Sequence, residues 1–300
     1  MMRAAPPDNQ DASLLDYAKA YPQYLLPHHA LSRIIHKLTR SKNKLWKKYF
    51  TRWFVQHFGV DMSIAVDSNL DNYPDFNSFF TRALKPEARP IVSGEGQIAC
   101  PVDGTVSQVG EISNGRLFQA KGRDYTSEQL LGNFEMARAF NGGRFATLYL
   151  SPKDYHRIHI PTDGTLREMI HIPGRIFSVN PATTRVIPNL FARNERVVTL
   201  FDTKIGPMAL VFVGAIFVAS IETVWSGEVT PPTAYDLQHW QYPSTKNQRI
   251  SFQQGQEIAR FNMGSTVIVL FGPDTIEWLT EITPGAPTRM GQLLATYRVA

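Results

Sequence analysis

Short runs of β-branched and aromatic residues, each ended by Gly, Pro, Asn or Asp, most constrain how this chain can fold. Five runs have this form and predict strands: Gly104 to Val109, Arg144 to Leu150, Val197 to Phe201, Met208 to Ile221, and Ser265 to Phe271. A helix is predicted from Thr126 to about Phe140, because Thr126 and Gln129 can form a capping box ahead of apolar residues. The sequence therefore predicts an α+β fold with a β-rich core.

The N-terminal segment differs from the rest of the chain in charge. Residues 17–60 contain no Asp or Glu but hold nine Lys and Arg residues: Lys19, Arg33, Lys37, Arg40, Lys42, Lys44, Lys47, Lys48 and Arg52. Taking those nine from the 31 basic residues leaves 22 against 26 acidic residues, so the positive excess is local. Apolar residues recur at helical spacing over 31–38 and 46–54, which predicts two amphipathic helices separated by a break at 41–43.

Three interpretations of these helices are open. Aromatic faces opposite basic faces suit the interface of an anionic membrane, where each basic residue contributes about 1 kcal/mol. Alternatively, the aromatic stripe packs on the protein core and the lysines face solvent. A nucleic-acid-binding arm is the third interpretation, but the Trp, Tyr and Phe stripe fits an apolar medium better. The predicted organisation is a membrane-associating helical region at 1–70 and a β-rich catalytic domain at 71–300.

Neither a transmembrane span nor a disulfide is expected. The longest strongly apolar stretch, Met208 to Ile221, has 14 residues, fewer than the roughly 20 that a spanning helix needs. Residues 1–10 lack the apolar centre of a secretory signal. The single cysteine, Cys100, excludes an internal disulfide and a multi-cysteine metal site, which favours a reducing compartment. A buried apolar role is expected for it.

A Gly-Ser pair precedes the last predicted strand. Residues 261–266 read Phe-Asn-Met-Gly-Ser-Thr, so that Ser265 stands at the edge of the strand. Gly264 has no Cβ, and the backbone beside the hydroxyl can therefore be approached closely or held in a strained conformation. A Gly-Ser-Thr tripeptide alone is also an ordinary turn. A catalytic role for this serine therefore depends on partners elsewhere in the chain.

Two other segments offer such partners. Residues 149–161 contain His156 and His159, which could supply a general base and a second proton carrier. A metal site is the weaker interpretation, because no cysteine pair or His-Glu-x-x-His helix completes it. Asp103 precedes Gly104 in a turn that leads into a strand. Placed beside a histidine, Asp103 would fix the ring tautomer, as the acid of a Ser-His-Asp arrangement does.

Together these segments resemble the phosphatidylserine decarboxylase family over nearly the whole chain. The family's Leu-Gly-Ser-Thr cleavage motif matches residues 263–266, its Tyr-His-Arg-x-His-x-Pro segment matches 155–161, and its Asp-Gly turn matches 103–104. Four more segments are similar: 119–122, 177–181, 189–196 and 220–225. This chain departs from the family in having Met263 for the usual Leu, a side chain of similar volume. It also lacks the long polar tail of some relatives.

The resemblance implies a proenzyme that cuts itself between Gly264 and Ser265, giving a β chain of 1–264 and an α chain of 265–300. His159, oriented by Asp103, would activate Ser265, which becomes a covalent pyruvoyl group, the only cofactor expected. This group would form a Schiff base with phosphatidylserine and release CO2 to give phosphatidylethanolamine. His156 is the candidate acid that protonates the product, although His159 could be reused.

The implied partners are the lipid substrate, an anionic membrane surface on the cytoplasmic face, and the β chain paired with the α chain. A homodimer is left open, and no nucleic acid is expected. Two other functions compete with this interpretation. A serine hydrolase would use the same three residue types, but the Gly-x-Ser-x-Gly elbow is missing. A non-catalytic membrane adaptor would remain one uncut chain.

Overall fold

A computed structural model describes residues 11–216, 220–230, 236–245, 247–263 and 265–299. Within these ranges the α-helices are α1 Leu14–Ala20, α2 His28–Thr39, α3 Lys44–Phe58, α4 Phe76–Phe80, α5 Ser127–Leu131, α6 Phe134–Arg138, α7 Pro181–Val186 and α8 Leu190–Arg193. Short 3-10 helices cover Tyr21–Leu25, Leu70–Asn72 and Pro86–Ala88. The helices lie mainly in the N-terminal region and between strands.

The strands fill most of the chain after the N-terminal helices. The first nine are β1 Gln97–Ala99, β2 Gly104–Glu111, β3 Arg116–Ala120, β4 Arg123–Thr126, β5 Arg144–Leu150, β6 Arg157–His159, β7 Gly164–Ile172, β8 Arg196–Thr203 and β9 Gly206–Val213. The others are β10 Ile221–Thr223, β11 Gly227–Glu228, β12 Gln238–Gln241, β13 Ser251–Phe252, β14 Glu257–Phe261, β15 Ser265–Phe271, β16 Glu277–Trp278, β17 Pro287–Thr288 and β18 Leu293–Thr296. The predicted α+β class with a β-rich core is confirmed.

A large antiparallel sheet forms the centre of the described chain. Its strands run in the order β12, β7, β8, β9, β15, β5, β2, β17, and β13 also pairs with β7. Successive side chains of a strand point to opposite faces. In β15 Val267 and Val269 therefore enter one hydrophobic cluster, while Ile268 and Leu270 enter another. Both faces of the sheet are buried, which explains the nearly continuous apolar runs in its middle strands.

Different elements cover the two faces. Buried residues of β1, β6, β10, β14 and β18 belong to one cluster, which places the smaller sheets on that face. Residues of the β3–β4 hairpin and of helices α5 to α8 belong to the other cluster, together with Ala20 of α1. Asp16 of α1 also pairs with Arg185 of α7, with oxygen and nitrogen 2.9 Å apart. The first helix is therefore attached to the core.

Two predicted elements end earlier than the sequence suggested. The run from Met208 to Ile221 is not one strand, since β9 stops at Val213 and β10 starts at Ile221. The helix predicted to reach Phe140 begins with the expected capping box at Thr126 but divides at Gly132. Gly132 has a φ of 69°, and an added Cβ would lie 2.5 Å from Ile172 Cδ1. The left-handed turn and the tight contact both favour glycine there.

The two predicted N-terminal helices are confirmed as α2 and α3. The break falls at 41–43, where the side chain of Asn43 caps α3 by accepting from the amides of residues 45 and 46. The aromatic stripe of α3 is divided between core and surface. Phe54 is buried in a cluster with α4, and Phe50 packs against that cluster. Trp53 and Tyr49 remain 50% and 68% exposed.

Most of the exposed large apolar side chains belong to the N-terminal region. Those between residues 14 and 53 are Leu14, Leu15, Tyr21, Leu25, Leu26, Ile34, Leu38, Leu45, Trp46, Tyr49 and Trp53. Large exposed apolar patches mark sites of interaction with proteins or membranes. Among the described helices, none combines the length and apolar character needed to cross a bilayer.

Candidate active site

Three neighbouring strands of the central sheet, β2, β5 and β15, end on the same side of the sheet, and two of the residues singled out in the sequence, Asp103 and Ser265, lie there. β5 ends at Leu150, opposite Ser265, which begins β15. On the other side of β5, Thr105 of β2 pairs with Tyr149, so Asp103 lies just beyond the same end of the sheet. An added Cβ on Gly104 would lie 2.3 Å from the Tyr149 carbonyl oxygen, and only glycine allows the strands this close.

The backbone just before Ser265 is strained. Met263 has a φ of 106°, a region that a residue with a side chain rarely adopts. Such a conformation costs of the order of 1–3 kcal/mol and persists only where the surrounding structure enforces it. Gly264, the other half of the predicted cleavage site, lies outside the described residues. Strain beside the predicted cleavage point is the kind of feature found at functional sites.

Asp103 is buried in an ion pair with Arg89. The Arg89 Nε donates to both carboxylate oxygens at 2.8 and 3.1 Å, and the Met290 amide donates to Oδ1 at 2.8 Å. The hydrogen bond to Asp103 raises the pKa of the Arg89 guanidinium above its ordinary value. Sequence reasoning missed Arg89, because no local motif connects it with an acid 14 positions later.

His159 has a defined tautomer. Its Nδ1 lies 2.7 Å from the Gly255 carbonyl oxygen, which can only accept, and therefore Nδ1 carries the proton. Nε2 then has a free lone pair, which accepts from the Tyr155 hydroxyl at 3.1 Å. Burial lowers the pKa of His159, while the Gly255 carbonyl and the charge of Glu257 oppose that shift. The ring is neutral at neutral pH, as a general base requires.

His156 is fully buried, and one of its ring nitrogens has no partner among the described residues. Its Nδ1 donates to the Asp154 carbonyl oxygen at 2.8 Å, and the described part of the chain offers Nε2 no hydrogen-bond partner. Its ring packs on Phe80, with ring centroids 4.2 Å apart. Burial lowers the pKa of His156 to about 3, with a smaller contribution from the positive charge of Arg82. Nε2 is thus a proton acceptor held in an apolar environment.

Arg82 is a second arginine that the sequence did not reveal. It is only 3% exposed, and its guanidinium lies over the Phe79 ring. Its Nη2 donates to the Lys153 carbonyl oxygen at 3.3 Å, and its Nε has no partner within the described residues. Desolvation lowers the pKa of Arg82. A buried cation therefore stands close enough to His156 to act on its pKa.

An apolar cavity of about 260 Å³ lies beside this end of the central sheet. It lies between α3 and the strand ends, and eleven residues line it: Phe54, Phe58, Phe80, Tyr149, Leu150, Pro152, Ser178, Val179, Ala215, Ile216 and Met263. Phe80 therefore contacts both this cavity and His156. The arrangement offers an apolar binding site beside buried proton acceptors.

The three predicted segments are brought to one region, but one predicted contact is not formed. Asp103 was expected to orient His159 through a hydrogen bond. In the described chain Arg89 and the Met290 amide bind the carboxylate, and the Gly255 carbonyl takes Nδ1 of His159. Asp103 instead acts on His159 through its charge, which tends to raise the pKa of the ring. The catalytic roles stay predictions.

Comparison with family models gives two matches along this chain. A model described as phosphatidylserine decarboxylase matches residues 76–296, which include the segments of Asp103, of the two histidines and of Ser265. A second model, described as PSD, matches residues 18–59 in the N-terminal helical region. The two matches cover the core and the basic helices separately.

Curated relatives resemble the chain over most of its length. A protein of Idiomarina loihiensis is 51% identical over 284 residues, covering 94% of this chain and 97% of the relative. A protein of Pseudomonas putida is 54% identical over 274 residues, covering 91% and 95%. One of Ectopseudomonas mendocina is 54% identical over 278 residues, covering 92% and 97%. All three are called phosphatidylserine decarboxylase proenzyme.

Proposed function

The chain belongs to the phosphatidylserine decarboxylase family, and on that premise we propose that it is a proenzyme that converts phosphatidylserine to phosphatidylethanolamine after cutting itself before Ser265. One observation carries the proposal. The Asp103 and Ser265 segments, far apart in sequence, reach the same end of the central sheet, and the apolar cavity beside that end is lined by Phe80, whose ring packs on His156.

Self-cleavage starts with the Ser265 hydroxyl as nucleophile. As His159 Nε2 takes the hydroxyl proton, Oγ bonds to the preceding carbonyl carbon. The C–N bond to Ser265 then breaks as His159 passes that proton to the leaving amine nitrogen, and an ester replaces the amide. Removal of the Ser265 α-proton then expels the carboxylate of the β chain and leaves a dehydroalanine. Its imine tautomer takes up one water and releases ammonia, and the new α chain starts with a pyruvoyl group.

His159 is the proposed base for the first step. The Gly255 carbonyl fixes the proton on Nδ1, so that Nε2 presents a lone pair, and burial keeps the ring neutral. Taking a proton makes the ring an imidazolium, which the buried charge of Asp103 stabilises at longer range. The Tyr155 hydroxyl must leave Nε2, or pass a proton through it, before the base can act.

The surroundings of Ser265 suit a ketone group at that position. The buried atoms Thr266 Oγ1 and His156 Nε2 both lack hydrogen-bond partners within the described residues, and the apolar cavity adjoins the same strand end. A pyruvoyl group supplies an electron-withdrawing carbonyl, which stabilises the negative charge left when a carboxyl group departs as CO2. The residues around it then have to bind the substrate, exclude water and move protons.

His156 is proposed to return the proton after CO2 leaves. Because Nδ1 donates its proton to the Asp154 carbonyl, Nε2 must gain a proton before it can donate one. We propose that water supplies this proton; because burial lowers the pKa of His156 to about 3, the imidazolium is rare at neutral pH but, once formed, gives its proton readily to a carbanion. The apolar cavity is proposed to hold the first part of an acyl chain and to exclude water.

The N-terminal region is proposed to dock the enzyme on anionic membranes at the cytoplasmic face. Exposed apolar side chains and exposed lysines share this region, the combination that binds membrane interfaces. One residue of the basic set has another role. Lys47 is buried, and its Nζ donates to the carbonyls of Asp71 and Tyr73 at 2.9 Å. Arg40 and Arg52 pair with Glu228 and Asp71, so the docking charge is proposed to reside mainly on the lysines other than Lys47.

Intact-mass measurement on freshly purified protein tests the proposal. The wild-type chain should yield two fragments, the smaller starting at position 265 with a pyruvoyl group that reacts with hydroxylamine. Ser265→Ala should remain one chain, and His159→Ala should be cut far more slowly. The processed protein should release CO2 from phosphatidylserine in mixed micelles, while Ser265→Ala should not. A wild-type chain that stays whole, or a Ser265→Ala chain that splits at this bond, would reject the proposal.

A further inference from the structure

Asn262, three residues before Ser265, is fully buried and fixed at both ends of its side chain. Its Nδ2 donates to Ser220 Oγ at 2.5 Å, and its Oδ1 accepts from Asn77 Nδ2 at 3.0 Å. Its backbone amide also donates to the Ser220 carbonyl oxygen at 2.9 Å. Three hydrogen bonds therefore set both the peptide plane and the rotamer of this residue.

The contacts extend from Asn262 to the N-terminal helices. Arg40, which follows the last turn of α2, donates from Nη2 to Ser220 Oγ at 3.1 Å. The same guanidinium pairs with Glu228, whose carboxylate oxygen lies 2.7 Å away. Asn77 belongs to α4, whose Phe80 packs on His156. Asn262 thus joins two helical elements to the segment that enters the predicted cleavage point.

The chain is anchored on both sides of the predicted cleavage bond. Ser265 is held on the far side by the ladder to Leu150, and Asn262 is held on the near side by Ser220 and Asn77. Only residues 263 and 264 lie between the anchors, and Met263 has the strained φ of 106°. Because the two anchors set the path of so short a segment, they also set where the carbonyl attacked by Ser265 can lie.

We propose that Asn262 is a positioning residue for self-cleavage, with Ser220 and Asn77 as its supports. The inference rests on the proposed self-cleavage at Ser265 and adds a residue that does not touch the reacting atoms. A misplacement of about 1 Å in reacting groups can lower a rate about 100-fold. Once the bond is cut, the carbonyl no longer has to be aligned. The role of Asn262 is thus confined to maturation.

The test compares cleavage rates of three chains synthesised without cells and sampled over time by denaturing electrophoresis. Asn262→Leu keeps the side-chain size but loses both side-chain bonds, and its cleavage should be at least tenfold slower than that of the wild type. Gln119→Met is the matched control. Gln119 is also a fully buried amide, bonded to the carbonyls of Thr184 and Ile187, but lies outside the cleavage segment. Its cleavage rate should stay within twofold of the wild type.

Two further measurements separate positioning from a general loss of stability. The melting temperatures of Asn262→Leu and Gln119→Met, each combined with Ser265→Ala, report the structural cost of losing a buried amide. The decarboxylation rate per pyruvoyl group in the processed fraction of Asn262→Leu should match that of the wild type. If Asn262→Leu gives no soluble protein, Ser220→Ala replaces it, with slower cleavage expected and recovery in Ser220→Thr.

The outcomes distinguish this inference from the proposed function. If the wild type processes itself and Asn262→Leu does so equally fast, Asn262 has no positioning role, whereas self-cleavage stands. Equal slowing in the Gln119→Met control would also overturn the inference, because any lost buried amide would then have the same effect. A wild-type chain that stays whole would overturn the proposed self-cleavage, and this inference with it.

Discussion

The carboxylate of Asp103 is bound by the guanidinium of Arg89 and does not reach His159 in the described chain. Both members of the ion pair are largely buried, with side chains 8% and 13% exposed. Removing one partner from a buried pair leaves the other charge without compensation, whereas neutralising both avoids that penalty. The effect of Asp103 on stability and its proposed role in catalysis can therefore be separated by experiment.

Arg89→Met is expected to lower the free energy of unfolding by about 3 to 5 kcal/mol, because the Asp103 carboxylate is left buried without a counter-charge. Adding Asp103→Asn should restore most of that loss. Urea unfolding of chains that also carry Ser265→Ala measures both effects without interference from cleavage. A double variant as unstable as Arg89→Met alone would show that the ion pair is not the cause.

In chains that keep Ser265, the double variant should fold but cut itself slowly. The charge of Asp103 favours the imidazolium that forms when His159 takes a proton, and an amide at position 103 cannot do so. A loss of about tenfold or more in cleavage rate is expected if the charge of Asp103 stabilises the His159 imidazolium by about 1.4 kcal/mol, since that free energy corresponds to a factor of ten. Time courses on denaturing gels measure this rate. Wild-type cleavage in the double variant would remove Asp103 from the chemistry.

Tyr155→Phe should move the acid side of the pH–rate profile for self-cleavage to higher pH. The Tyr155 hydroxyl donates to Nε2 of His159 and stabilises the neutral ring. Without that donor the pKa of His159 rises, and the base is protonated at a higher pH than in the wild type. Tyr125→Phe is the control and should leave the profile unchanged, because Tyr125 is fully buried in the hydrophobic cluster formed with the β3–β4 hairpin and helices α5 to α8. A profile for Tyr155→Phe identical to that of the wild type contradicts the assignment.

His156 should make the protein less stable in acid. Its pKa is about 3 in the folded chain against an ordinary 6.5, so the unfolded chain binds the extra proton between these values. Stability from this group is present above pH 6.5 and is lost as the pH falls towards 3, by about 1.4 kcal/mol per pH unit. Urea unfolding of Ser265→Ala with and without His156→Gln measures the slope. The His156→Gln chain should lose stability less steeply, and parallel curves would disprove the shift.

The strands and helices were predictable because their signals are local. A run rich in β-branched residues and bounded by glycines placed β15 at Ser265–Phe271 as predicted, and the Thr126 capping box marked the start of α5. The division at Gly132 was missed, because the need for glycine there comes from a positive φ and from Ile172, 40 positions away. Such tertiary contacts leave no local periodicity.

Sequence motifs nominated the members of the candidate site but not their contacts. Motifs identified Asp103, the histidine pair and Ser265, whereas Arg89 and the Gly255 carbonyl, which determine how two of them are bound, belong to no local pattern. Charge counting likewise placed Lys47 among the membrane-facing cations. The fold instead buries it against two backbone carbonyls, because α3 packs on the 70–73 turn.

Membrane binding by the N-terminal region should have a salt-sensitive and a salt-resistant part. Lys42 and Lys44 are exposed and Lys48 is half-buried, so all three can approach an anionic surface. Changing them together to Gln should weaken binding to phosphatidylglycerol-containing vesicles by up to about 3 kcal/mol, or about 100-fold. The difference should shrink as salt rises, because the field of the surface is screened over about 8 to 10 Å.

The matched control changes three exposed bases outside the N-terminal region, Lys204, Arg289 and Arg298, to Gln. The net charge falls equally, so similar weakening in both triple variants would mean that overall charge and not this surface governs binding. Tyr49→Ala, at a side chain 68% exposed, should reduce the binding that persists in high salt without lowering the melting temperature. Lys47→Gln should do the reverse, destabilising the fold while the salt-resistant binding of the folded fraction is unchanged. Co-sedimentation with vesicles across a salt series, alongside thermal melts of the same proteins, resolves all four variants.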